Sequence, residues 1–191
     1  MTFSNPAAGA TAAAGAYVRA LLEVLGDREP LSVLSELEGW LERRLAGIPE
    51  SALRRPEAPG KWSAADVVQH LADSDLVFGF RMRMILTEEG PALQGYDQDR
   101  WATVLGYSSV PLPEALAQLS ALRTANLRVL RQLGPAELER VGLHSERGAE
   151  SLEHLTKLMA GHDLVHRRQI DRVLAAAGHT ELGGAKHTEL R

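Results

Sequence analysis

The sequence predicts an all-α protein built as a four-helix bundle, and three observations carry that expectation. Four long segments repeat their apolar residues at the helical period. Leu and Ala outnumber the β-branched residues and aromatic residues are only 5%, a usage that favours helix over strand. No segment alternates with period two over the length of a strand, so no significant sheet is expected. At 191 residues, 45% hydrophobic and 24% charged, the chain is long enough for one full core and too short for a second domain of independent size.

Residues 1–10 are poor in charge and rich in small side chains, and read as a frayed extension. The single domain is expected over residues 11–178. A first helix spans Thr11 to Leu25, with Val18, Leu21, Leu22 and Leu25 on one face and Gly26 placed to stop it. The first core helix follows from Leu31 to about Gly47, with Leu34, Leu37, Trp40, Leu41 and Leu45 on its stripe. Pro49, Pro56, Pro59 and Gly60 mark a loop. Ser63 with Asp66 three residues on resembles a capping box and opens the second core helix, which runs to about Thr87 before Gly90-Pro91. The stretch Leu93 to Val110 shows no clean period and reads as a long connection, able to carry the chain along the bundle to a crossover topology. The third core helix opens at Pro113-Glu114, carries leucines 116, 119, 122, 127, 130 and 133, and stops at Gly134-Pro135, where a short turn to Glu139 is expected. A loop from Gly142 to Gly148 leads into the fourth, from about Glu150 to Ala177. Residues 179–191 form a polar tail.

Composition excludes several function classes. There is no cysteine, hence no disulfide scaffold, no thiolate metal site and no cysteine nucleophile. With 21 basic and 25 acidic residues the net charge is −4, which offers no electrostatic footprint for nucleic acid. No apolar run has the length of a membrane span, and the Ala-rich start lacks the basic and Leu-rich parts of an export signal, so a cytoplasmic protein is expected.

The seven histidines fall into two classes. In the fourth core helix the apolar stripe runs Leu152, Leu155, Met159, His162, His166, Ile170 and Val173, so both imidazoles take core positions. They are four residues apart, one turn on the same face, a spacing that lets two imidazoles share a metal. Two hydrogen-bonded core histidines are the competing reading. His70, beside Leu71 in the second core helix, is within reach of the same interior. Three nitrogen ligands would leave coordination positions free for water or substrate, the arrangement of a catalytic metal. His144, His154, His179 and His187 read as surface residues. Asp73, three residues after His70, reads as solvated, with orientation of that imidazole's free nitrogen as the alternative; Gln169 reads as either a neighbour of the site or an ordinary surface residue, and most of Arg81, Arg83, Arg167 and Arg168 as solvent-facing, with room for one of them to bind an anionic substrate group.

The segments GKWSAADVVQHLADSD (Gly60 to Asp75), YDQDRW (Tyr96 to Trp101) and HSERGAESLEHLTKLMAGHDLVHRRQI (His144 to Ile170) resemble the DinB-like superfamily, in particular its branch of metal-dependent hydrolases and bacillithiol S-transferases. The resemblance spans about Leu31 to Ala177. It implies an up-down-down-up helix order, a metal held by His70, His162 and His166, nickel or zinc as that metal, and a homodimer. Trp62 and Trp101 belong to the same pattern and are expected to pack the helix ends. Three functions are then open. The metal lowers the pKa of a low-molecular-weight thiol of the bacillithiol type for transfer to a small electrophile; since the chain has no cysteine, that nucleophile must arrive as a ligand. Alternatively the metal activates water for hydrolysis, or it only staples a damage-inducible, non-enzymatic protein, against which the lack of an evident fourth ligand counts.

Overall fold

A computed structural model describes residues 11–180. The expected N-terminal extension, His187 and most of the polar tail lie outside the described residues. The described residues hold eight helices and three short strands: α1 (Thr11–Leu25), α2 (Pro30–Leu45), α3 (Glu50–Leu53), α4 (Ala64–Thr87), β1 (Ala92–Leu93), α5 (Gln98–Val104), α6 (Leu112–Leu130), α7 (Pro135–Leu138), β2 (Val141–His144), β3 (Gly148–Ser151) and α8 (Leu152–Ala176), with a 3-10 turn at Tyr107–Ser109. The bundle is made of α2, α4, α6 and α8. Its second member starts where the capping box places it: the Ser63 N–H donates to Asp66 Oδ2 at 2.9 Å and the Asp66 N–H to Ser63 Oγ at 3.2 Å, which satisfies two end donors reciprocally.

Directions within the bundle follow from side-chain register. Between α4 and α6 the partners rise together, Asp73 with Gln118, Asp75 with Arg123 and Arg83 with Asn126, so these helices run parallel. Between α2 and α8 they also rise together, Val33 with Arg167 and Arg44 with Asp171. Two parallel neighbours joined in sequence need a return path along the bundle. Residues 88–111 supply it, and they hold β1, α5 and the 3-10 turn rather than an irregular loop.

The core is apolar at both ends of the bundle and polar at its waist. One cluster gathers Leu34, Phe78, Met82, Ile85, Leu127, Leu152 and Met159, and the other Leu41, Val67, Val68, Leu71, Leu119, Ile170 and Val173. Between them lie His70, Asp73, Asp75, Arg123, Asn126, His162, Asp163 and His166, all buried. Arg123, only 1% exposed, holds this layer together. It donates to both oxygens of Asp75 and of Asp163 at 2.6 to 3.1 Å and to the Leu34 carbonyl at 2.8 Å. Three of the four bundle helices are thereby tied to the fourth through one guanidinium. Burial pushes the Asp75 and Asp163 carboxyls above the ordinary range, with the Arg123 charge pulling the other way.

The expectation of no sheet is corrected by a small three-stranded one. Strand β1 pairs parallel with β2, and β2 pairs antiparallel with β3 in a hairpin where a loop was expected, so α8 begins at Leu152 rather than Glu150. In β2 the inward residues are Gly142 and His144, while Val141 and Leu143 are exposed, the reverse of the usual apolar-in pattern. Gly142 is required there, because a Cβ would overlap the Leu93 side chain of the neighbouring strand. Helix α1 stands outside the bundle and packs along α8, where Gly161 lets the Leu21 backbone come close; a Cβ at residue 161 would collide with the Leu21 carbonyl.

Candidate metal centre

His70 is delivered by α4 and His162 and His166 by α8, and the three imidazoles meet in the waist of the bundle. Each offers a nitrogen, and these nitrogens lie within 4.8 Å of one another. Ring centroids are 4.3 to 5.0 Å apart. No other histidine, aspartate or glutamate joins the group among the described residues. Relative exposure is 0% for His70, 7% for His166 and 9% for His162, and it is His162 that lines a cavity.

Electrostatics keep all three rings neutral. Burial pushes His70 well below the usual imidazole range, and the neighbouring His166 and His162 push it further. Burial, followed by the Arg123 charge, takes His162 down to about 3. Burial also lowers His166, again with a contribution from His162. A neutral imidazole is the form that binds a metal.

Hydrogen bonding fits the same purpose. His166 Nδ1 lies 2.8 Å from Gln169 Oε1, an acceptor, so Nδ1 carries the proton and Nε2 is left with its lone pair. His70 Nε2 and His162 Nε2 face each other at 3.0 Å, and the Nδ1 atoms of both are buried without a partner. Two nitrogens on a tetrahedral ion, each about 2.0–2.1 Å from it, are about 3.3 Å apart, so these rings need shift little to share one. Without an ion the contact is a single hydrogen bond, a poor return for burying two imidazoles. The donor set and its spacing suit a divalent metal.

Around the rings, Ser74 Oγ lies 3.5 Å from His70 Nε2 and 3.3 Å from Tyr96 Oη. Burial raises the Tyr96 hydroxyl pKa, so it stays protonated at neutral pH. Trp62 packs its ring 4.8 Å from that of His70, and Trp101 packs 4.5 Å from Tyr96, so each touches the site's surroundings as well as a helix end.

Several residues are placed differently from their sequence reading. Asp73 is buried, accepting from Tyr107 Oη at 2.5 Å and from Gln69 and Gln118. Its i,i+3 spacing from His70 does not bring it to the imidazole. His144 is 4% exposed in β2 and lines the same cavity as His162. Arg81 is buried and lines it too, while Arg83 and Arg168 are exposed and Arg167 is intermediate. The Arg123, Asp75 and Asp163 triad escaped the sequence reading altogether. Its signal was present: Arg123 continues the stripe Leu119, Leu127, Leu130 at helical spacing, and Asp75 does the same between Leu71 and Phe78.

The cavity measures about 130 Å³, against the roughly 10–15 Å³ of the same measure that admits one water. It is formed by α1, α4, the segment around Tyr96, the β2–β3 turn and α8.

Comparison with known proteins agrees with this geometry. The chain is 28% identical over 142 residues to the "Putative metal-dependent hydrolase" of Oceanobacillus iheyensis, covering 74% of this chain and 82% of that one. A protein of the same name in Bacillus mycoides is 29% identical over 154 residues, covering 81% and 88%. Among solved structures it is similar to YfiT from Bacillus subtilis, described as "a probable metal-dependent hydrolase with an unusual four-helix bundle topology". The TM-score is 0.68 at 28% identity, over 75% of this chain and 84% of YfiT. The DinB superfamily model matches residues 34–170, which include all three clustered histidines and the whole waist of the bundle, and the chain belongs to that superfamily.

Proposed function

We propose that the chain is an enzyme in which His70, His162 and His166 hold one divalent metal, nickel or zinc, and that it activates a low-molecular-weight thiol of the bacillithiol type for transfer to a small electrophile. The observation that carries this reading is the convergence of three neutral imidazoles beside a cavity, with no fourth side-chain ligand among the described residues. When bound, the metal supplies Lewis acidity to a thiol or water in its open position and so lowers that group's pKa.

The chain's own residues have separate tasks. Gln169 fixes the tautomer of His166. Arg123 holds α4 and α8 at the separation that brings His70 to His162. Ser74 places a hydroxyl beside His70 and Tyr96 a second one against Ser74, a pair able to hold or pass a proton released by the incoming nucleophile. The walls of the bundle exclude bulk water from the three rings.

A second reading, hydrolysis, is favoured by the names of the relatives. Mixing metal-loaded protein with bacillithiol and monochlorobimane separates the two. Conjugation that needs both protein and metal supports thiol transfer. Ester or amide cleavage without thiol, and no conjugation, supports hydrolysis. In either case His166→Ala is expected to lose stoichiometric metal while retaining helical content, and a variant that keeps full metal rejects the ligand set. The reading includes a homodimer, and sedimentation at micromolar concentration giving only a single-chain mass rejects that part.

A further inference from the structure

The cavity that His162 lines also holds a buried cation that touches no carboxylate, although the charges of Glu150 and Glu146 act on it from farther away. Arg81 is 9% exposed and donates to the Gln94 carbonyl, but it forms no ion pair among the described residues. The other arginine on the cavity wall, Arg147, is already committed to Glu150 through two hydrogen bonds of 2.5 and 2.8 Å. Glu146 lines the cavity as well, without pairing with Arg81. Beside these, His144 Nδ1 accepts the Glu146 N–H at 3.1 Å, so its proton sits on Nε2, and that buried Nε2 finds no acceptor. One wall therefore presents a guanidinium outside any direct ion pair and an imidazole N–H lacking an acceptor. A buried guanidinium without a directly bonded carboxylate is costly, and the planar fork of Arg matches one.

We propose that this wall binds the carboxylate of the substrate through Arg81 and the His144 Nε2–H. Arg81 follows Ser74 by two turns of α4, about 10 Å of axis, and Ser74 adjoins the histidine cluster. The substrate class is thus a small organic acid whose carboxylate lies about 8–10 Å from its reacting atom, with the span between them against apolar side chains such as Leu21, Phe78 and Met159. This deepens the proposed function and rests on it for the identity of the reacting end, but not for the anion-binding wall.

The test uses metal-free full-length protein, so that no carboxylate can be drawn to a metal, titrated by calorimetry with hexanoate and with 1-hexanol. Both present the same hydrocarbon to the apolar wall. Hexanoate is expected to bind about tenfold tighter, the return for charge-assisted hydrogen bonds. Arg81→Gln should bring the two ligands to nearly equal affinity, and Arg81→Lys, which keeps the charge, should retain part of the preference. Equal binding of both ligands by the parent, no hexanoate binding at millimolar concentration, or a preference undiminished in Arg81→Gln would each overturn the proposal; the last would leave Arg81 as an anchor for the Gln94 loop. A separate arm compares 6-mercaptohexanoate with hexanoate on zinc-loaded protein. Tighter binding of the thiol supports the thiol-activating reading, whereas equal binding with the hexanoate preference intact removes that reading and leaves the carboxylate wall standing.

Discussion

Replacing Arg123 by Met keeps most of the side-chain volume and removes the cation that pairs with Asp75 and Asp163. The loss is five N–H···O contacts to two carboxylates that are 1% and 0% exposed, and a sixth to the Leu34 carbonyl. Breaking a buried ion pair from one side costs about 3–5 kcal/mol, because the remaining charge stays buried without its partner. For a domain of this size that is roughly 6–20 °C in Tm. The two carboxyls already have pKa values raised above their ordinary 3.8 by burial, and without Arg123 they rise further. A carboxyl raised in the folded state contributes stability that is complete below 3.8 and is lost as pH climbs through its folded value. The variant should therefore lose more stability relative to the parent at pH 8 than at pH 5. Urea unfolding at both pH values measures this. A loss below about 1 kcal/mol, or one equal at the two pH values, would refute the account of the triad.

Gln169→Ala is expected to weaken metal binding about 10–100-fold without abolishing it, since His166 keeps its position but not its fixed tautomer; competition with a chromogenic chelator reads the change. Metal-free protein should lose stability as pH falls. His162, with an ordinary value of 6.5 and a folded value of about 3, contributes stability complete above 6.5 and lost progressively toward 3. Between pH 7.5 and pH 5 that is about 2 kcal/mol from this residue, measurable by urea unfolding, and a stability unchanged over that range would show the imidazole is not held neutral. Gly161→Ala should cost about 1–3 kcal/mol by driving Leu21 off α8. If α1 is what moves, proteolysis should cut it away first while the bundle persists, and simultaneous loss of both would contradict that picture.

Helix positions were legible because they depend on local rules. The capping box at Ser63 and the leucine stripes are properties of neighbouring residues, and α4 and α6 start within a residue of their expected positions. His162 and His166 stood out because imidazole in an apolar stripe breaks a pattern, and His70 because it sits one residue from the stripe of the second core helix. The hairpin was hidden for the opposite reason: its inward positions hold Gly142 and His144, so hydropathy shows no alternation, and β2 exists because β1 and β3 supply hydrogen bonds. Asp73 was misjudged because its partners, Tyr107 and Gln118, lie 34 and 45 residues away. Arg123 shows both sides of the problem. Its place in a stripe was visible, but a charge in a stripe makes sense only when two opposite charges arrive from other helices.

The candidate metal centre and the cavity beside it share most of their chain, but one side of the cavity comes from elsewhere. The histidines, the Arg123 clamp and Gln169 all lie on helices within residues 34–170, the span matched by the superfamily. Tyr17, Val18 and Leu21, which close one side of the cavity, belong to α1, ahead of that span. That side of the cavity is thus separable from the histidine cluster. A relative can share every ligand and still present another wall to its substrate. Grafting a different first helix onto this bundle would be a way to change what the cavity admits while leaving the three histidines in place.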